Sequence, residues 1–179
     1  MAKRNLNNWL LISGNGRHVG KTWLAERFIH QLSESENVVA IKIASHMHQL
    51  GPEVKWLDGG PDKWMIGEET DTKSDKDSVR MLKAGAEKVF YAQMNDDIYN
   101  LDQLNYLDKV LTGEELIICE SASIGNFINP GAAFYVYDPN NIAKNCNWSF
   151  SYQALESLQS KIVNPPKKIR WEKNSWIIN

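Results

Sequence analysis

The run Leu10-Leu11-Ile12-Ser13-Gly14-Asn15-Gly16-Arg17-His18-Val19-Gly20-Lys21-Thr22 constrains this chain more than any other segment. Residues 9–12 are apolar and read as a buried strand, while Leu24, Phe28, Ile29 and Leu32 recur at helical spacing and share one face. Between strand and helix lies a glycine-rich loop that closes on Gly-Lys-Thr, the order in which a phosphate-binding loop is written. The glycines let the backbone curl so that successive N–H groups converge on one phosphate, and the helix behind them adds the positive end of its dipole. In that arrangement Lys21 lies against the β- and γ-phosphates, and the Thr22 hydroxyl ligates the accompanying Mg²⁺. The candidate nucleotide-binding residues are therefore Gly14, Asn15, Gly16, Arg17, His18, Val19, Gly20, Lys21 and Thr22. Gly14 lies six residues before Gly20 rather than five, so the loop is one residue longer than the commonest pattern.

Composition fits one α/β domain spanning residues 1–179. A chain of this length buries about 70% of its unfolded surface, and 42% hydrophobic with 23% charged residues is ordinary for a globular protein. A formal net charge of -2 gives no electrostatic reason to expect a nucleic acid or an anionic membrane as partner. No segment is apolar for long enough to span a bilayer, and the run after Lys3 and Arg4 ends at Ser13-Gly14, too short for a signal-peptide core. The expected location is the cytoplasm. Cys119 and Cys146 offer neither a disulfide framework nor a zinc spacing, and both are expected to be reduced.

Strand and helix patterns then alternate. Residues 38–44 form a second strand, nearly continuous in apolar residues, as strands covered on both faces are. Residues 49–72 turn to glycine, proline and charge around Trp56 and Trp64, with a turn signal at Asp58-Gly59-Gly60-Pro61, and predict a projecting hairpin or flap. Ser74-x-x-Asp77 has capping-box spacing and predicts the start of a helix carrying Val79, Leu82 and Ala86. Further strands are expected at 88–93, 116–119 and 131–137, helices at 101–111 and 151–162, and a hairpin at 169–178. Right-handed crossovers make of this a three-layer α/β/α sandwich of the P-loop NTPase kind, with a mostly parallel sheet and a C-terminal β-hairpin.

Two more positions carry chemistry. Glu120 follows Leu116-Ile117-Ile118-Cys119 at the carboxyl end of a strand, where ligands of open α/β sheets bind, and suits a catalytic acid near the metal. Lys42 interrupts an apolar strand, and a buried ammonium requires a carboxylate, a phosphate or an exit to solvent. His46 and His48 would share a face if that strand continued, an arrangement open to a metal but without a third ligand.

Ile41-Lys42, the histidines after it, and the stretch from Asp71 through Lys76-Asp77-Ser78 to Ala84-Gly85-Ala86 resemble the molybdopterin-guanine dinucleotide biosynthesis protein B family. The similarity covers residues 9–125 and includes a strand ending in an acid, here Glu120. It differs in the longer loop, in Ile43 where the family has histidine, and in Ser121 where it has glycine. The longer loop and the strand-end lysine are similar to those of dethiobiotin synthetase and related ATP-dependent amidoligases.

The resemblance implies a homodimeric, Mg²⁺-dependent GTP-binding protein that hydrolyses GTP slowly. It also implies assistance to a partner biosynthetic enzyme in attaching a nucleotide to a molybdopterin-type ligand. Base identity is open between GTP and ATP. Two alternatives stand beside it: an ATP-dependent small-molecule ligase or kinase, and a non-catalytic binding protein gated by nucleotide. A fast phosphotransferase would need more cations over the γ-phosphate than Arg17 and Arg80.

Overall fold

A computed structural model describes residues 2–137, 155–159 and 168–179. Among these residues ten strands and three α-helices follow in the order β1 (Arg4–Gly14), α1 (Lys21–Leu32), β2 (Val38–Ala44), β3 (Val54–Gly60), β4 (Trp64–Glu69), α2 (Asp77–Lys83), β5 (Lys88–Met94), α3 (Asn100–Val110), β6 (Leu116–Glu120), β7 (Ile128–Tyr137), β8 (Leu155–Gln159), β9 (Ile169–Glu172) and β10 (Ser175–Ile178). Eight strands make one sheet in the order β3-β4-β5-β2-β6-β1-β7-β8, and β9 and β10 form a separate antiparallel hairpin. From β5 to β8 the neighbours are parallel; β4 joins β5 antiparallel and β3 joins β4 antiparallel.

Both faces of the central strands are covered, which is why their sequences show apolar runs rather than alternation. Side-chain alternation along each strand sorts the core in two. Leu10, Ile12, Ala40 and Ile118 face α1, α2 and the C-terminal hairpin through Leu24, Phe28, Met81 and Ile169. Leu11, Ile41, Ile43 and Cys119 face Leu104 and Leu107 of α3. The result is a three-layer α/β/α sandwich.

The structure departs from the sequence expectations in three elements. The hairpin of residues 49–72 does not stand away from the domain: β4 pairs with β5 from Trp64↔Met94 to Glu68↔Phe90, so the hairpin is the edge of the sheet. Its turn lies at 61–63, later than the Asp58-Gly59-Gly60-Pro61 signal, because the strands stay paired through Gly60↔Trp64. The capping box fails: α2 starts at Asp77 with Lys76 as its cap and no side-chain cap. Asp71 accepts from the Lys73 and Ser74 N–H groups at 2.7 and 3.2 Å, and this local turn takes up the backbone that a helix from Ser74 would have used. Finally, residues 155–159, inside the helix expected at 151–162, form strand β8 against β7. An open parallel edge offers backbone partners that outweigh a modest helical pattern. The rest of that segment, and Cys146, lie outside the described residues.

Candidate functional site

The carboxyl ends of β1, β2 and β6 and the amino ends of α1 and α2 meet around a cleft of about 1250 Å³. Sheet register builds its floor. Parallel pairing sets Lys42 of β2 beside Glu120 of β6, and Glu120 beside Ile12 of β1. Counting by twos from Ala40 and Ile118 turns Lys42 and Glu120 to the α1 and α2 face. First-turn residues of those two helices come down onto them. The Thr22 hydroxyl donates to Glu120 Oε2 at 2.9 Å. The Lys42 ammonium bonds Glu120 Oε1 and lies 2.8 Å from Asp77 Oδ2.

Electrostatics follow from this clustering. Glu120 is only 2% exposed, so its charge is held by Lys42 and Thr22 rather than by bulk water. Burial acts to lower the pKa of the Lys42 ammonium, yet the carboxylates of Glu120 and Asp77 outweigh it and leave the value raised. Burial likewise acts to raise that of Asp77, and Lys42 overcomes it, leaving the carboxyl lowered. Two negative groups and one internal cation thus share the end of the sheet beside the Thr22 hydroxyl.

The loop after β1 forms the adjoining wall. His18 and Gly20 adopt positive φ, 57° and 105°, which curls the chain immediately before α1. α1 starts at Lys21 behind Gly20 with no side-chain cap on its first-turn N–H groups, the arrangement in which a helix start receives an anion. Lys21 Nζ donates to the Gly16 carbonyl at 2.5 Å and so lies back across the loop. A Cβ on Gly14 would come within 2.2 Å of the Val136 carbonyl, so this glycine serves close approach to β7.

Of the residues expected from sequence, Gly14, Gly16, Arg17, His18, Gly20, Lys21, Thr22, Lys42 and Glu120 line the cleft. Asn15 and Val19 do not: Val19 packs in the core under α1, and Asn15 is buried with its N–H directed to Val136. The paired histidines also part company. β2 ends at Ala44, so alternation no longer governs them; His46 Nε2 meets Arg17 at 2.6 Å and His48 Nε2 meets the Tyr91 hydroxyl at 2.8 Å. Among the described residues no cluster of three or more His, Cys, Asp or Glu side chains forms a metal site.

Asp77 is the site residue that sequence reading of single positions missed. An acid in the first turn of a helix is explained by the dipole alone, and only the α2 to β2 packing reveals its partner. Arg80, one turn on, is clamped by Glu26 of α1 through bonds of 2.8 and 2.5 Å, which ties the two helices together. Behind them Glu69 accepts from the Ser78 hydroxyl at 2.6 Å and the Asp71 N–H at 2.9 Å, fixing the entry to α2. Cys119 is a buried free thiol whose pKa burial pushes up, so it is chemically inert here. Among the described residues no helix is long and apolar enough to cross a membrane.

Comparison with protein-family models, with curated proteins and with solved structures found no match.

Proposed function

We propose that this protein binds a Mg²⁺-nucleotide at the amino end of α1 and hydrolyses it slowly at most. The observation that carries this reading is the meeting of Thr22, Lys42, Asp77 and Glu120 beside an uncapped helix start that carries Lys21. The Thr22 hydroxyl would ligate the metal, with Glu120 and Asp77 holding it directly or through water. Lys21 would exchange the Gly16 carbonyl for the β- and γ-phosphate oxygens, and Lys42 would add a second positive charge at the far side. Slow turnover follows from the arginines: Arg80 is engaged by Glu26 and Arg17 lies against His46, so charge developing on a transferred phosphoryl group meets few unengaged cations.

The two sequence segments that resemble the molybdopterin-guanine dinucleotide biosynthesis protein B family, around Lys42 and around Asp77, converge on this one cleft. That convergence favours GTP as the nucleotide and an accessory role, as a homodimer, in attaching it to a molybdopterin-type ligand with a partner enzyme. The longer loop favours a second reading, an ATP-dependent ligase or kinase acting on a small acid.

A thermal-shift screen with GTP and with ATP, each with and without Mg²⁺, tests the proposal. A nucleotide at a hundred times its Kd stabilises by about 2.7 kcal/mol, a rise in Tm of about 5–10 °C for a chain of this size. A Mg²⁺-dependent shift is expected; no shift with either nucleotide would overturn the reading.

A further inference from the structure

α1 begins at Lys21, so the groups that would hold phosphate and the helix's first outward side chain are neighbours in sequence. That side chain is Trp23. Thr22 and Leu24 on either side of it are buried, yet the indole is 43% exposed and lines the same cleft as Lys21, Thr22 and Glu120. Steps of about 100° per residue explain the orientation: Leu24, Ala25 and Phe28 turn to the sheet, and Trp23 turns away from it. The inner side of the helix start is filled by Val19, Leu24 and Ala25, all within the core. With that inner side closed, Trp23 is an exposed aromatic of the cleft next to the N–H groups of this helix start, within reach of a base carried outward from a triphosphate seated on them. An indole left that far in water gains apolar contact once a flat ring covers it.

The sequence supplies an independent observation. Its one Asn/Thr-Lys-x-Asp match, Thr72-Lys73-Ser74-Asp75, lies in the turn before α2 and outside the lining of the cleft, so the base is not read there by that set of hydrogen bonds. Aromatic stacking needs no such code, because every base presents a π-face.

We infer that Trp23 is the platform for the nucleobase: its indole stacks on the base of the bound nucleotide and supplies affinity with little choice between purines. The inference rests on the nucleotide-binding reading given above, and it assigns to Trp23 no part in the chemistry at the γ-phosphate.

Calorimetric titration of the full chain with GTP, ATP and inorganic triphosphate, each with Mg²⁺, tests it in the parent protein, Trp23→Ala and Trp23→Phe. Trp23→Ala should weaken both nucleotides about tenfold, within the range for one base stacked on an aromatic ring, and leave inorganic triphosphate unchanged. Trp23→Phe should restore the nucleotide affinity, and the quenching of tryptophan fluorescence by GTP expected in the parent should be smaller in it. Parent-like nucleotide affinity in Trp23→Ala would overturn the inference, as would an equal loss for nucleotide and inorganic triphosphate, which would make Trp23 a support of the loop. Failure of the parent to bind either triphosphate class would overturn the phosphate-loop reading itself, a result separable from the other two.

Discussion

Lys42 is the residue on which the electrostatics of the site turn. Its ammonium lies between Glu120 and Asp77, and removing one partner of a buried ion pair leaves the other charge uncompensated, at a cost of about 3–5 kcal/mol. Lys42→Met keeps the aliphatic stem and removes the charge, so urea unfolding should show a loss of about that size. Addition of Mg²⁺ should restore part of it by supplying a cation to the same carboxylates; full stability in the mutant without metal would show that the pair contributes nothing. Asp77 titrates below the ordinary carboxylate range because Lys42 outweighs the effect of burial. A depressed carboxyl stabilises the fold above its unfolded pKa, and that contribution disappears as pH falls through the folded value. Asp77→Asn should therefore flatten the acid side of the stability profile below about pH 4. For Glu120, substitution by Gln keeps the shape and removes the charge, so nucleotide turnover should fall about a hundredfold with a much smaller change in Kd; equal turnover would leave Glu120 a structural acid. Glu120 and Lys42 were legible in sequence because a charge at the end of an apolar strand needs a reason. Asp77 was not, since its reason lies across space.

At the level of elements, α1 joins site and core. Phe28 packs on Phe134 of β7 with ring centroids 4.9 Å apart, and both are fully enclosed. Phe28→Ala should cost about 3–5 kcal/mol in denaturant unfolding; a loss below 1 kcal/mol would mean that the core closes over the gap. The hairpin of β3 and β4 is the element most altered from expectation. Turn-rich composition marked it as a hairpin, but not that β4 would find the open edge of β5. Its tryptophans divide accordingly: Trp64 is half-buried against the α3-side core, while Trp56 on the outermost strand is 56% exposed. The connection from β2 to β3 runs along the cleft through His46 and His48, so hydrogen exchange across residues 45–54 should slow when Mg²⁺-nucleotide binds. Unchanged protection there would separate the hairpin from ligand binding. Elements with strong periodicity, α1, β2 and β6, were legible as written. The strand at 155–159 was not, because its pairing partner is set by sheet order and not by its own pattern.

Over the whole molecule, topology concentrates chemistry at one edge. Parallel strands β1, β2 and β6 all end there, and the helices that follow β1 and precede β5 both begin there, so residues 22, 42, 77 and 120 become neighbours. An α/β sheet of this kind binds its ligands outside the carboxyl ends of the strands. The sequence motif located one wall of that site; the fold supplied the others through register and crossover. The loop from Gly14 to Thr22 is proposed to hold the phosphates of a nucleotide. Calorimetric titration of Lys21→Ala against the parent with Mg²⁺-GTP and Mg²⁺-ATP tests it most directly. Lys21→Ala should keep its thermal unfolding transition and lose at least a hundredfold in nucleotide affinity, consistent with removing a charge-assisted contact to phosphate. Affinity equal to that of the parent would contradict it.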